Sequence, residues 1–269
     1  SKEVLYEHVK NILDYKNLVI SKVYDAQPNT IEGIMAWISE YGENLKPYIC
    51  DVSEYLENAV KDGKNVMFEA QLGALRDIDF GIYPYTSSSS TIAAYAPIGA
   101  GIPGKKLDLT LGIMKAYSSC VGEGPFTCEL LGEKLREAGH EYGAATGRPR
   151  RCGPFDVVAS KYGVKVQGAD AIALTKLDVL SYLDKIPVCA AYDIDGEKTT
   201  SFPTGDRLNR ATPVIEYLDG WKCDISSCRK LEELPENAVK YIEYIEKATE
   251  CKIKYVSVGA KREEYIEIF

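Results

Sequence analysis

ALTKLD, residues Ala173–Asp178, is the stretch from which the fold of this chain can be read. The apolar run AIAL (Ala171–Leu174) reads as a short buried strand, and the TKLD turn leaves its carboxyl end, where ligands of open α/β sheets sit. A carboxylate at Asp178 can accept from the ring N1–H and the exocyclic amine of guanine together, two charge-assisted bonds in one plane. Adenine offers no such donor pair. The Lys176 stem can lie across a base while its ammonium stays in water. The stretch therefore predicts a nucleotide-type sheet that selects guanine, and it requires Asp178 to sit close to a second loop at the same edge.

Outward from this point the chain alternates strand and helix patterns. LTLGIMKAY (109–117), AIALTKL (171–177), PVCAAYDID (187–195) and KIKYVSVG (252–259) read as strands. FTCELLGEKLREAG (126–139), GPFDVVASKYGVKVQG (153–168) and LPENAVKYIEYIEKATE (234–250) read as helices or loops running into them. Such alternation implies an α/β fold with a largely parallel central sheet flanked by helices. The first 64 residues read as a helical subregion: EVLYEHVKNILDY, TIEGIMAWISEY and DVSEYLENAVKDG place apolar residues at three- and four-residue intervals. NVMFEA (65–70) follows as a strand candidate. We take residues 1–269 as a single α/β unit, with 65–269 as the sheet-containing, ligand-binding region. From Tyr83 to Pro103 the chain is rich in Ser, Ala, Gly and Pro, a long irregular stretch of the kind that compact domains keep for binding.

The 269 residues include 45% hydrophobic positions, enough for a sizeable core, and a formal charge of −8. An acidic balance argues against a nucleic-acid binder, which needs a net basic face. No apolar stretch is long enough to cross a bilayer. Eight cysteines are scattered without a CxxC pair and no charged-then-apolar leader opens the chain, which together favour reduced thiols in the cytoplasm. Cys223 and Cys228, the nearest pair, lack the further ligands that a zinc site needs, and no metal site is expected in this chain.

GRPRR (Gly147–Arg151) is the second signal. Three guanidinium groups within four residues repel one another unless anions lie between them, and each can grip a carboxylate or phosphate through two parallel bonds. An acidic substrate fits that turn; a solvated basic turn is the bland alternative. The third is SVG (Ser257–Gly259), at the end of a strand near the end of the chain, where it could close over a base bound by TKLD.

FEAQLGALRDIDFGIYPYTSSSST, KAYSSCVGEGPF, GAATGRPRRCGPFD, ALTKLDVL, LPENAVKYI and VSVG occur here in the order seen in adenylosuccinate synthetases, and the resemblance runs over nearly the whole chain. It implies a P-loop-NTPase-like fold and the GTP- and Mg2+-dependent joining of L-aspartate to inosine monophosphate (IMP) in AMP biosynthesis. It also implies a homodimer, small-molecule substrates, and neither a nucleic-acid nor a membrane partner. By carry-over, GTP is held by Arg150, Lys176, Leu177, Asp178, Ser257, Val258 and Gly259. The aspartate loop comprises Ala144, Ala145, Thr146, Gly147, Arg148, Pro149 and Arg150, and IMP meets Gln71, Leu72, Ser87 and Arg148.

The chain departs from the family pattern in several places. Where the family has EGAQG this chain has EAQLG, so Leu72 falls on the nucleotide-contacting glutamine and Gln71 stands one place early. Ser87 and Ala145 each replace a usual threonine. The family's phosphate loop, general-acid histidine and partner-subunit arginine find no match, so the chain is expected to correspond to the C-terminal two-thirds of a family member, to lack the catalytic base, acid and metal ligands, and to be inactive alone. GAGIPGKK (Gly99–Lys106) imitates a phosphate loop but ends in Lys106 where Ser or Thr must hold magnesium, and it reads as a connecting turn. His8 and His140 have no nucleophile to serve. The alternative to an enzyme part is a non-catalytic guanine-nucleotide-binding or dimerisation module.

Overall fold

Side-chain caps open the first three helices of the chain. The computed structural model describes residues 1–269, which divide into two compact units, Ser1–Asn65 and Val66–Phe269. In the first, α1 (Lys2–Lys22), α2 (Ile31–Leu45) and α3 (Val52–Lys61) begin behind Ser1, Thr30 and Asp51, whose side chains accept from the backbone N–H of Val4, Gly33 and Glu54. Each such cap contributes about 1 kcal/mol. Asn17 grips the connection after α1, its side chain exchanging two 2.8 Å hydrogen bonds with the backbone of Asn29. Only Val9 is buried in this unit.

The second unit runs α4 (Ala96–Gly99), β1 (Leu111–Lys115), β2 (Ser118–Cys120), α5 (Gly132–Ala138), β3 (Arg151–Gly153), β4 (Phe155–Asp156) and α6 (Val157–Gln167). It continues through β5 (Ala171–Thr175), β6 (Lys185–Ile194), β7 (Glu197–Thr199), α7 (Asp206–Asn209), β8 (Thr212–Asp219), α8 (Glu236–Thr249), β9 (Ile253–Ser257) and β10 (Tyr265–Glu267). The main sheet has the order β1-β5-β9-β10, with β1, β5 and β9 mutually parallel and β10 antiparallel at one edge. Ala171 to Leu174 are all buried, the continuous apolar run expected of a strand covered on both faces. Ala238, Tyr241, Ile242 and Ile245 from one face of α8 join the same core, and the Tyr241 hydroxyl donates to Ala116 O at 2.7 Å.

The α/β class holds, but the strands do not all join one sheet. PVCAAYDID forms most of β6, which pairs parallel with β4 and antiparallel with β7 and β8 in a separate sheet. The turn decides this: Asp195 and Gly196 both take positive φ (58° and 89°) and return the chain directly, and a two-residue connection permits only an antiparallel neighbour. A smaller core of Cys128, Val158, Cys189, Tyr192, Ile194 and Leu208 seals this sheet. Val66–Ala70, read from the sequence as part of a strand, is not one, and Met67 is 86% exposed. A strand exists only through its ladder partners, and that segment has none.

Truncating the centre of the main sheet and truncating its edge should differ sharply. Leu174→Ala is expected to cost about 2–5 kcal/mol in urea unfolding, as fully buried leucines do. Ile113→Ala, at a position 71% exposed on β1, should stay within about 0.5 kcal/mol.

Candidate functional site

Parallel pairing of β1, β5 and β9 puts their carboxyl ends along one edge, with Lys115 opposite Thr175 and Leu174 opposite Val256. Lys176 turns the chain there with a φ of 61°, and Asp178 opens a 3-10 turn to Tyr182. Leu177 is fully buried, and its N–H donates to Ser257 O at 3.2 Å. TKLD and SVG are therefore adjacent. In the second loop Ser257 Oγ donates to Gly259 O (2.9 Å) and Val258 N to Glu264 O (3.0 Å). Burial raises the Asp178 carboxyl above its ordinary value, with Glu264 and Asp224 pushing the same way and Lys176 opposing.

Lys176 corrects one expectation. Its ammonium is not left to water: it donates to Gly139 O at 2.6 Å and lies 3.7 Å from a carboxylate oxygen of Glu141.

The arginine segment is a tight hairpin. Arg150 N donates to Glu141 O, Gly143 N to Arg148 O and Gly147 N to Gly143 O, while Tyr142 and Pro149 form an antiparallel bridge. Gly147 allows the tip with a φ of 64°, and Ala144, Ala145, Thr146, Gly147, Arg148 and Pro149 are all exposed. The three arginines are not equivalent. Arg151 is spent within the chain, on Glu129 through Nε and an Nη (both 2.8 Å) and on Gly124 O (2.7 Å). Arg150 gives one Nη to Glu141 (2.8 Å), while its Nε is buried without a partner. The Arg148 side chain makes no hydrogen bond or ion pair and is exposed, so of the three it alone presents a free guanidinium.

Glu141 is the centre of this edge, and the sequence reading passed over it. Its side chain is fully buried, yet it accepts from Lys115 Nζ at 2.7 and 2.9 Å, Tyr117 Oη at 2.6 Å and Arg150 at 2.8 Å. Burial alone would push this carboxyl up, but the Lys115 and Tyr117 hydrogen bonds and the cations around it outweigh that and hold it down at about 2. Lys115 is lowered by its own burial, against the attraction of Glu141. Burial and Glu141 together raise the Tyr117 hydroxyl, so it stays a donor. An acidic residue seven places before an arginine cluster was the available signal.

The remaining candidates lie along the preceding segment. Gln71 is exposed, and Leu72 is 57% exposed with a φ of 74°, a left-handed conformation costing roughly 1–2 kcal/mol for a residue with a branched side chain. Ser87 N donates to Arg76 O (2.8 Å), and its hydroxyl donates to Ser89 O (3.0 Å). Arg76 reaches onward, donating to Tyr85 O, Cys120 Sγ, Val121 O and Glu123 O, so it ties the serine-rich segment to the loop after β2. Gly124 completes that seam: its φ is 110°, and a Cβ there would fall 2.7 Å from the Tyr85 ring. Asp77, fully buried, holds the segment closed through Asp79 N, Phe80 N, Ser90 Oγ and Thr91 N at 2.6–3.2 Å. Gln71 and Leu72 make no hydrogen bond to the arginine hairpin; beside them, Thr91 Oγ1 and Arg76 N both donate to Gly73 O.

No group of three or more His, Cys, Asp and Glu side chains is arranged to hold a metal ion. A cavity of about 380 Å³ lined by Leu231, Val239, Ile242, Glu246, Ile268 and Phe269 includes none of the candidate residues. No helix is long and apolar enough to cross a membrane.

The adenylosuccinate synthetase family model matches residues 1–266. This chain belongs to the adenylosuccinate synthetase family. It is 44% identical to the adenylosuccinate synthetase of Prochlorococcus marinus (strain MIT 9301), over 100% of this chain and 62% of that protein. It is 45% identical to that of Desulforamulus reducens, over 98% of this chain and 63% of that protein. A solved structure described as the fully ligated adenylosuccinate synthetase from Plasmodium falciparum superposes with a TM-score of 0.92 at 37% identity, over 100% of this chain and 64% of that one. The chain thus spans a little over three-fifths of the length of the family members it matches.

Asp77 makes the ordering of the serine-rich segment testable. Burial raises its carboxyl, but the N–H donors of Phe80, Thr91 and Asp79 more than compensate and leave it below its ordinary value. A depressed carboxylate stabilises above its unfolded value and loses that contribution as pH falls. Asp77→Asn should cost about 1–3 kcal/mol, speed limited proteolysis between residues 78 and 91, and flatten the acid limb of the stability curve.

Proposed function

We propose that these residues carry the guanine, aspartate and part of the IMP recognition of an adenylosuccinate synthetase, the GTP-dependent ligase that forms adenylosuccinate from IMP and L-aspartate. The observation that carries this reading is the Leu177–Ser257 backbone bond, which sets TKLD against SVG at the carboxyl edge of three parallel strands. Asp178 accepts from the guanine edge, Lys176 and Leu177 shape the loop around the base, and Ser257, Val258 and Gly259 close the pocket. Arg150, with an unspent Nε donor beside Glu141, serves the GTP side. The exposed tip, Ala144, Ala145, Thr146, Gly147, Arg148 and Pro149, receives the aspartate carboxylates, and Arg148 also reaches the IMP ribose. Ser87 and the Gln71–Leu72 turn face IMP; Leu72 cannot hydrogen-bond, so the polar contact falls to Gln71.

In the reaction, the γ-phosphoryl of GTP passes to the purine 6-oxygen to give 6-phosphoryl-IMP and GDP. The aspartate amine then attacks C6, releases a proton and expels phosphate. Catalysis of phosphoryl transfer is mostly positioning and charge neutralisation. No residue of this chain is assigned that step, and no magnesium-dependent step is derived for it. The 269 residues alone are therefore expected to show no GTP- and aspartate-dependent turnover in a coupled assay. A cytoplasmic homodimer belongs to the same reading.

Base selection is the direct test, because a ligand that binds only the native state raises its melting temperature. GTP should stabilise the chain more than ATP, and Asp178→Ala should erase the difference; equal shifts with both nucleotides in the unaltered chain would reject the guanine assignment. Adding the separately expressed remainder of a family member distinguishes an enzyme part, which regains turnover, from a non-catalytic module, which does not.

Acidification gives a second readout. Because burial raises Asp178, it loses its charge above the ordinary aspartate value of 3.8, and its protonation relieves a desolvation cost in the folded state. Glu141, held at about 2, keeps its charge in that window. The GTP-over-ATP difference in melting temperature should therefore fade, as pH drops toward 4 (about the ordinary carboxylate value), before the acid loss of stability that follows Glu141.

A further inference from the structure

We propose that Glu141 is a positioning residue that couples the arginine hairpin to the base-reading loop, so that one buried carboxylate sets both Arg150 and Lys176. The inference rests on the reading of this edge as the GTP site. Three independent segments send cations to Glu141: Lys115 from the end of β1, Arg150 from the returning arm of the hairpin, and Lys176 from the turn after β5. Lys115 and Arg150 bond it directly at 2.7–2.9 Å, and Lys176 stands 3.7 Å away while fixed at 2.6 Å on Gly139 O, two residues before Glu141. The carboxylate also holds Tyr117 Oη at 2.6 Å, which leaves it no freedom to follow one cation without disturbing the others.

The charge count explains why a fixed centre is needed. One negative group faces three positive ones, so the cluster keeps a surplus of positive charge, and without Glu141 the cations would repel one another and scatter into solvent. With Glu141 in place they stay together, and the buried, unpartnered Arg150 Nε keeps one donor uncommitted. A carboxylate wholly removed from water, with each oxygen bonded, is a rigid anchor: removing one partner of such a set leaves uncompensated buried charge. Lys115, Tyr117 and Glu141 need not touch a ligand for this to hold.

The test compares Glu141→Gln with Glu141→Asp in the full 269-residue chain, with Asp156→Asn as control. Asp156 is another buried carboxylate, bonded to Tyr192 Oη at 2.6 Å and to Ala159 N at 3.0 Å, and no bond joins it to the cation cluster. A coupling role is one of charge, so the isosteric but neutral glutamine should be the damaging change and the shorter charged aspartate should largely rescue it. A packing role orders them the other way. Titration calorimetry well below the melting temperature should show Glu141→Gln weakening GTP by about tenfold, a typical coupling free energy. Glu141→Asp should remain within about threefold, and Asp156→Asn should bind as the unaltered chain does.

Hydrogen exchange in the absence of nucleotide reads the same coupling independently. Glu141→Gln should speed exchange in both 143–151 and 175–178, whereas Asp156→Asn should change neither. The proposal is overturned if Glu141→Gln leaves either segment protected, if aspartate is worse than glutamine, or if the control matches the glutamine variant. Should the unaltered chain fail to bind GTP, the functional reading falls, and the exchange measurement still decides the role of Glu141.

Discussion

The parallel pairing of β5 with both β1 and β9 is the constraint on which the site depends. Strands that run in register in one direction end together, and their carboxyl ends carry the turns that need ligand-facing freedom. Lys115, Lys176–Asp178 and Ser257–Gly259 are 142 to 144 positions apart at their extremes in the sequence, yet each lies at or just beyond the end of one of three neighbouring strands. Burial of Ala171 to Leu174 on both faces anchors the middle of that arrangement, and α8 closes one side through Ala238, Tyr241, Ile242 and Ile245.

Along that edge, electrostatics is local and paired rather than diffuse. The basic run GRPRR divides its labour: Arg151 braces the loop at Gly124 and Glu129, Arg150 leans on a buried carboxylate, and Arg148 stands free. The buried Glu141 and the partly buried Asp178 take opposite directions for one reason. Glu141 gathers enough donors to overcome the cost of burial, while Asp178 does not and is raised. In the function proposed above, the carboxylate with few partners of its own is the one left to accept from the guanine edge.

Legibility varied with the range of the interaction. The apolar intervals mark all three early helices, because helix formation is settled within a few residues; α1 only runs further than the pattern, to Lys22, and the structure adds the Ser1 and Thr30 caps. AIAL is recognisable as a buried strand, and KIKYVS as a strand, for the same reason. The Val66–Ala70 segment shows the limit, since a short apolar run such as Val66–Phe68 marks a strand only where a partner exists. Glu141 shows it again: its spacing from the arginine cluster hints at a single arginine partner, and the other two cations are not legible, because Lys115 and Lys176 lie 26 places before it and 35 after.

By itself the sequence determined the α/β class, the family and the identity of the turns that carry polar chemistry, since those follow from local composition, periodicity and the spelling of short motifs. Only the tertiary structure decided that β6 builds a second, mainly antiparallel sheet, that Arg151 is spent internally, and that Lys176 is tied to Gly139. Each of these is a choice among partners distant in the chain. Such choices are made by burial and charge balance, which act only once the chain has closed.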